Sequence, residues 1–241
     1  MGVGRKKIGE NLRRVRDEIA AAAERARRRA EDVRLVVVTK AADVEDIKHL
    51  VDLGVTDLGE NRVQQLLARV EEIGDWLGRK RKSPAPAVRW HMVGHLQRNK
   101  ARKVIGRVAM IHSIDSLRLA EELAARAEQA ERTVEVLLQV NCSEEPQKEG
   151  VAVGAAAHLA EQICTLKPLH LTGLMAMAPI ARDAEKARAT FVRLREIFDD
   201  MRRDKIGGKD FRHLSMGMSQ DYPVAVEEGA TIVRIGTAIF Q

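Results

Sequence analysis

The chain has 241 residues, 45% of them hydrophobic and 32% charged, which suits one large globular domain and comes close to the roughly 250 residues of a (β/α)8 barrel. Aromatic residues make up only 3%, too few for a stacking platform on single-stranded nucleic acid, and the net charge of +6 gathers within residues 13–29 and in Arg79-Lys80-Arg81-Lys82, which read as solvated helix faces or loop tips rather than a nucleic-acid surface. No run approaches the roughly 18 apolar residues of a membrane span, and Cys142 and Cys164, with neither metal-ligand spacing nor a disulfide framework, suit a reducing cytoplasm.

Ile8, Leu12, Val15 and Ile19 recur at helical spacing, so about the first 25 residues are predicted to form an amphipathic helix packed on the body. Leu35-Val36-Val37-Val38 is a continuous apolar, mostly β-branched run, the pattern of a strand buried on both faces, and it ends in Thr39-Lys40. Asp43 is placed to cap a helix carrying Val44, Ile47, Leu50 and Val51. Residues 55–59 form a short second strand, and Glu60-Asn61 opens a helix through Gln64, Leu67 and Val70, with Glu60 as a first-turn acid favoured by the helix dipole. Residues 78–87, with Pro84 and Pro86, read as a loose surface loop.

Residues 88–93 and 108–113 are further strands, and Asp115 is expected to cap a helix with Leu117, Ala120, Ala124 and Ala127 on one face. A long apolar strand at 134–141 is followed by a loop with Pro146 and Gly150, then a helix at 155–166. A strand at 169–175, a helix carrying Ala187, Phe191, Leu194, Phe198 and Met201, and strands at 211–215 and 231–235 complete the set. Strand and helix alternate about eight times with strands apolar throughout, which favours a closed parallel (β/α)8 barrel spanning residues 1–241 as a single domain.

Such barrels build their sites at the carboxyl ends of the strands. Those ends carry Lys40, Glu60-Asn61, His91, Asn141, Met175, Ser215-Met216-Gly217-Met218-Ser219 and Arg234-Ile235-Gly236-Thr237. A strand-end lysine taken alone more often marks where a strand meets water. Partly desolvated, it is an amine able to form a Schiff base with an aldehyde. The last two loops shift the balance: Ser215 and Ser219 offer hydroxyls, and Gly217 and Gly236 let backbone N–H groups approach an anion, the usual phosphate site after strands seven and eight. A lysine beside a phosphate cradle points to a phosphorylated aldehyde, with pyridoxal 5'-phosphate (PLP) the obvious one. His91 and His95 lack a third ligand nearby, so no metal site is expected.

The stretches VVVTK, DLGENRVQQLL, WHMVGHLQRNKAR, QVNCSEEPQKEGV, GLMAMAP, HLSMGMSQDY and VRIGTAIF resemble, in order and over nearly the whole chain after the first helix, the YggS/PROSC family of pyridoxal phosphate homeostasis proteins. The resemblance implies the alanine racemase amino-terminal barrel, PLP fold type III, with Lys40 as the Schiff-base lysine. It further implies that Ser215, Ser219, Gly236 and Thr237 hold the phosphate, that Asn61 and His91 lie in the cofactor pocket, and that Arg234 faces the pyridine nitrogen. The family often carries a second lysine two positions after the first, where this chain has Ala42; Lys148 matches another family position and could serve as an alternative amine, although it reads first as an exposed loop lysine.

Two functions compete on this basis. A fixed arginine beside the pyridine nitrogen disfavours its protonation and makes the ring a poorer electron sink, though alanine racemase also uses one. That enzyme takes a catalytic tyrosine from a carboxyl-terminal domain, whereas Tyr222, the sole tyrosine here, falls in the loop after strand seven, where it is expected to pack or touch the phosphate region. The expectation is a cytoplasmic, monomeric, non-catalytic PLP carrier in vitamin B6 homeostasis, serving PLP-dependent apoenzymes; a racemase-like enzyme is the alternative.

Overall fold

The computed structural model describes residues 2–79, 87–145, 148–181 and 183–241. Its strands are β1 (Arg34–Val38), β2 (Asp57–Glu60), β3 (Arg89–Met92), β4 (Met110–Ile114), β5 (Val134–Asn141), β6 (Val151–Ala152), β7 (Leu169–Met175), β8 (His213–Ser215) and β9 (Ile232–Ile235). Pairing runs β1-β2-β3-β4-β5-β7-β8-β9 and returns to β1, every neighbour parallel, so among the described residues eight strands close on themselves. Closure removes the exposed edges that an open sheet must protect. The two-residue β6, in a stretch expected to be loop, adds to the outside of β5.

Helices α1 (Arg5–Arg25), α2 (Val44–Asp52), α3 (Val63–Arg79), α4 (Ala101–Val104), α5 (Leu117–Gln129), α6 (Ala156–Cys164), α7 (Arg188–Arg203), α8 (Tyr222–Glu227) and α9 (Thr237–Phe240) surround the barrel. The expected apolar stripe of α1 is buried, and its Asn11 amide donates to the carbonyls of Ile239 and Gln241 at 3.0 and 2.8 Å, joining the two ends of the chain. Asp43 caps α2 as expected, its Oδ1 accepting from the Asp46 N–H at 2.9 Å. Asp115 does not cap α5: Ser116 holds the cap position, and its side chain makes no capping bond. Gly78 and Arg79, expected in a loop, are the last residues of α3; the rest of that stretch up to residue 86 lies outside the described residues.

Two apolar layers follow from strands buried on both faces. The larger lies between barrel and helices; the smaller fills the barrel with Val36, Val93, Met110, Leu137, Met175 and Ile232. That inner layer also contains polar side chains, and these decide what the barrel's upper end can do.

Candidate functional site

Lys40 stands two residues past the end of β1, in a turn closed by the Ala42 N–H donating to the Thr39 carbonyl at 2.8 Å. Its side chain is exposed, where the sequence suggested partial desolvation. The turn is fastened from below. Arg69 on α3 donates to the carbonyls of Thr39 at 2.7 Å and Ala42 at 2.6 Å, bracketing Lys40, and pairs with Glu60, which also accepts from the Thr39 hydroxyl. Glu60 is therefore not a first-turn acid: it ends β2, is fully buried, and leaves one carboxylate oxygen, Oε2, without a partner. Asn61, the next residue, holds a second buried orphan acceptor, its Oδ1. Orphan acceptors in a native interior mark places where a donor is expected.

The loops after β8 and β9 interlock. The Arg234 N–H donates to the Gly217 carbonyl at 3.0 Å, and Asp221 Oδ1 accepts the Met218 N–H at 2.6 Å. The Ser219 hydroxyl oxygen accepts from the backbone N–H groups of Gly236 at 3.3 Å and Ala238 at 3.2 Å, with Thr237 exposed between them. Gly217 has φ +93°, and a Cβ there would stand 2.6 Å from that of Ala225. A Cβ on Gly236 would lie 2.9 Å from the Val38 carbonyl oxygen, in the strand leading to Lys40. Only glycine permits these approaches, and Ser219, Gly217, Gly236 and Thr237 lie together where the two loops meet.

Arg234, on β9 in register with Val36 of β1, is 5% exposed, and burial pushes its guanidinium down to about 10. It donates to Ser215 Oγ at 2.6 Å and the Ala176 carbonyl at 2.9 Å. Among the described residues no carboxylate lies within ion-pairing distance, which is unusual for a buried cation.

Two expected ligand contacts point elsewhere. Ser215 is fully buried and shares its hydroxyl between Arg234 and His112 Nδ1, the latter at 2.8 Å, so it supports Arg234 rather than joining the Ser219 set. His91 lies inside the barrel with both ring nitrogens occupied, Nε2 by Asp57 Oδ1 and Nδ1 by His112 Nε2, each at 3.0 Å. Tyr222 packs as expected and donates its hydroxyl to Glu18 of α1 at 2.6 Å; burial and that carboxylate push the phenol up. Lys148 is half-buried and pairs with Glu145 at 2.7 Å. Arg69, Asp57 and His112 were missed by sequence reasoning, and Glu60 was given a different role; only the apolar settings of Asp57, at the start of β2, and His112, in the middle of β4, hinted at a role.

A closed parallel barrel with a lysine after the first strand, and a glycine-and-serine cradle beside an arginine at the last two, defines the class. The family model described as "Alanine racemase, N-terminal domain" matches residues 11–241. A pyridoxal phosphate homeostasis protein of Aquifex aeolicus is 38% identical over 231 residues, covering 96% of each chain. Its counterpart in Pseudomonas aeruginosa is 36% identical over 97% of this chain and 94% of its own. PipY of Synechococcus elongatus, solved with PLP bound, superposes with a TM-score of 0.81 at 31% identity, over 97% of this chain and 100% of its own. The chain belongs to the family of pyridoxal phosphate homeostasis proteins.

Proposed function

We propose that this protein holds PLP as a Schiff base on Lys40 and serves intracellular PLP homeostasis without turning over amino acids. The observation that carries the reading is Arg234: a buried guanidinium with no carboxylate in ion-pair distance among the described residues, two residues from Gly236. It suits an electron-rich ligand with a lone pair to offer, and a pyridine nitrogen is such a group. The surrounding donors fit the rest of the molecule. The N–H groups now held by Ser219, its hydroxyl and Thr237 suit a phosphate, and the orphan Asn61 Oδ1 suits a hydrogen-bond donor.

When bound, PLP supplies an aldehyde that condenses with a lysine amine. The residues of this chain do the rest. Arg69 and Glu60 hold the Lys40 turn, Ser219 and the two glycines would hold a phosphate end, and Arg234 would disfavour protonation of a ring nitrogen brought to it. A ring held this way is a weaker electron sink, and the sole tyrosine, committed to Glu18, offers no base. Binding and release by exchange to another amine follow, with the cofactor handed to PLP-dependent apoenzymes. On this reading the chain is a single barrel domain that works as a monomer in the cytoplasm. Separately, no helix among the described residues is long and apolar enough to cross a membrane.

The test is to load the protein with PLP, record its absorbance beside a Lys40→Ala variant, and incubate it with a panel of amino acids. The reading predicts an imine band lost in the variant and no racemised or consumed amino acid. Turnover of any amino acid would make the protein an enzyme.

A further inference from the structure

Inside the barrel a hydrogen-bonded chain runs from one end to the other. Asp57 is the first residue of β2; Arg234 is the penultimate residue of β9. Between them stand His91 on β3, His112 on β4 and Ser215 at the end of β8, each fully buried. The links are Asp57 Oδ1 to His91 Nε2 at 3.0 Å, His91 Nδ1 to His112 Nε2 at 3.0 Å, His112 Nδ1 to Ser215 Oγ at 2.8 Å, and Ser215 Oγ to Arg234 at 2.6 Å.

The two ends determine the direction of every proton between them. A guanidinium only donates, so Ser215 Oγ accepts there and its single proton is free for His112. At the other end Asp57 is ionised. Burial alone would raise its carboxyl, but hydrogen bonds from His91, Arg89 and Thr56 outweigh that and hold it well below the usual carboxylate range. Arg89 makes two of these bonds, at 2.9 and 2.7 Å. An ionised carboxylate only accepts, so His91 carries its proton on Nε2. Burial keeps both imidazoles neutral, which leaves each Nδ1 bare. His112 therefore donates from Nε2 to His91, and Ser215 donates to His112. The arrangement derived from one end agrees with that derived from the other.

Among the described residues Arg234 has no carboxylate within ion-pair distance; besides the through-space attraction of buried Asp221, it is linked to ionised Asp57 by neutral dipoles that all point the same way. We propose that Asp57 is a positioning residue for Arg234: acting across the barrel through His91, His112 and Ser215, it keeps a lone pair of Ser215 turned to the guanidinium and so holds Arg234 in place for its ligand. This role at the cofactor rests on the PLP-binding reading above; the proton pattern of the chain does not.

In Asp57→Asn an amide able to donate replaces the acceptor, and the anchoring anion is gone. His91 and His112 then lose their reason to keep protons on Nε2. The first measurement is a long-range 1H–15N correlation of the imidazoles in protein free of PLP. Protons on Nε2 in both His91 and His112, with bare Nδ1 atoms, are expected in the wild type; Nδ1–H forms or imidazolium there overturn the chain without any variant. A shift toward Nδ1–H in Asp57→Asn is expected as well.

The second measurement is a double-mutant cycle on PLP dissociation with Asp57→Asn and Ser215→Ala. Each single change should weaken retention on the order of tenfold, and together they should do no worse than Ser215→Ala alone, because both cut one path. Effects that multiply, or an Asp57→Asn protein that retains PLP like the wild type, overturn the positioning role while PLP binding stands. Failure of the wild type to take up PLP removes the cofactor reading and the positioning role with it, and leaves the proton pattern to be judged by the spectrum.

Discussion

Replacing Arg69 with methionine keeps most of the aliphatic stem and removes the guanidinium that fastens the Lys40 turn. Glu60 has no exposed side-chain surface and Arg69 only 10%, so the change strands a carboxylate in the interior. Breaking a buried pair from one side costs about 3–5 kcal/mol, chiefly because the remaining charge is uncompensated. The carbonyls of Thr39 and Ala42, both in buried residues, also lose their donors, which keeps the cost from falling below that range. The expected destabilisation is therefore about 3–5 kcal/mol, read as a lower urea midpoint at unchanged m-value. The double variant Glu60→Gln/Arg69→Met should be more stable than Arg69→Met alone, since it removes the stranded charge. As a reference, Arg25→Ala, which breaks a pair with Glu227 at an arginine 56% exposed, should cost less than about 1 kcal/mol. An Arg69→Met protein no less stable than Arg25→Ala would refute the claim that a buried ion pair holds the Lys40 turn.

Gly236→Ala drives a Cβ to 2.9 Å from the Val38 carbonyl oxygen; crowding of about 1–3 kcal/mol should weaken PLP retention about tenfold or more, and equilibrium dialysis showing wild-type affinity would contradict the cradle. Tyr222→Phe loses the bond to Glu18 and should lower stability by about 0.5–1.5 kcal/mol while leaving PLP uptake intact; lost uptake would put the hydroxyl in the site. Burial lowers His213 to about 4 in the folded state, from 6.5. The unfolded chain therefore binds the proton first as pH falls below about 6.5, and stability drains away until about pH 4, by on the order of 3 kcal/mol from this group. His213→Met should lose less stability than the wild type between about pH 7 and pH 4.5, and equal slopes in urea midpoints would sink the argument.

The alternation of apolar strands with amphipathic helices made the barrel legible, because each signal is local: a β-branched run at residues 35–38, a 3.6-residue stripe in α1, an aspartate before α2. Lys40 and the two glycine loops were legible for the same reason, since strand ends are where such folds place ligands. What escaped reading depends on partners far apart in sequence. Glu60 looks like a helix-opening acid because it precedes Asn61 and an apolar-periodic stretch; that it is buried against Arg69, nine residues on within α3, is set by packing and not by the local pattern. Ser215 and Ser219 are equivalent hydroxyls on paper, four residues apart. One faces the barrel interior and His112, 103 residues away in the chain, while the other meets the backbone of α9. His91, at a strand end, was placed in the cofactor pocket by the family resemblance, and nothing local reveals that Asp57 and His112 already occupy both of its nitrogens.

The central claim is that Lys40 is the amine that holds the cofactor. Protein loaded with PLP, reduced with borohydride and digested should carry the pyridoxyl group on the peptide containing Lys40, at close to one per chain and with no competing label on Lys148. Label spread over surface lysines, or placed on Lys148 while Lys40 stays unmodified, would contradict the account.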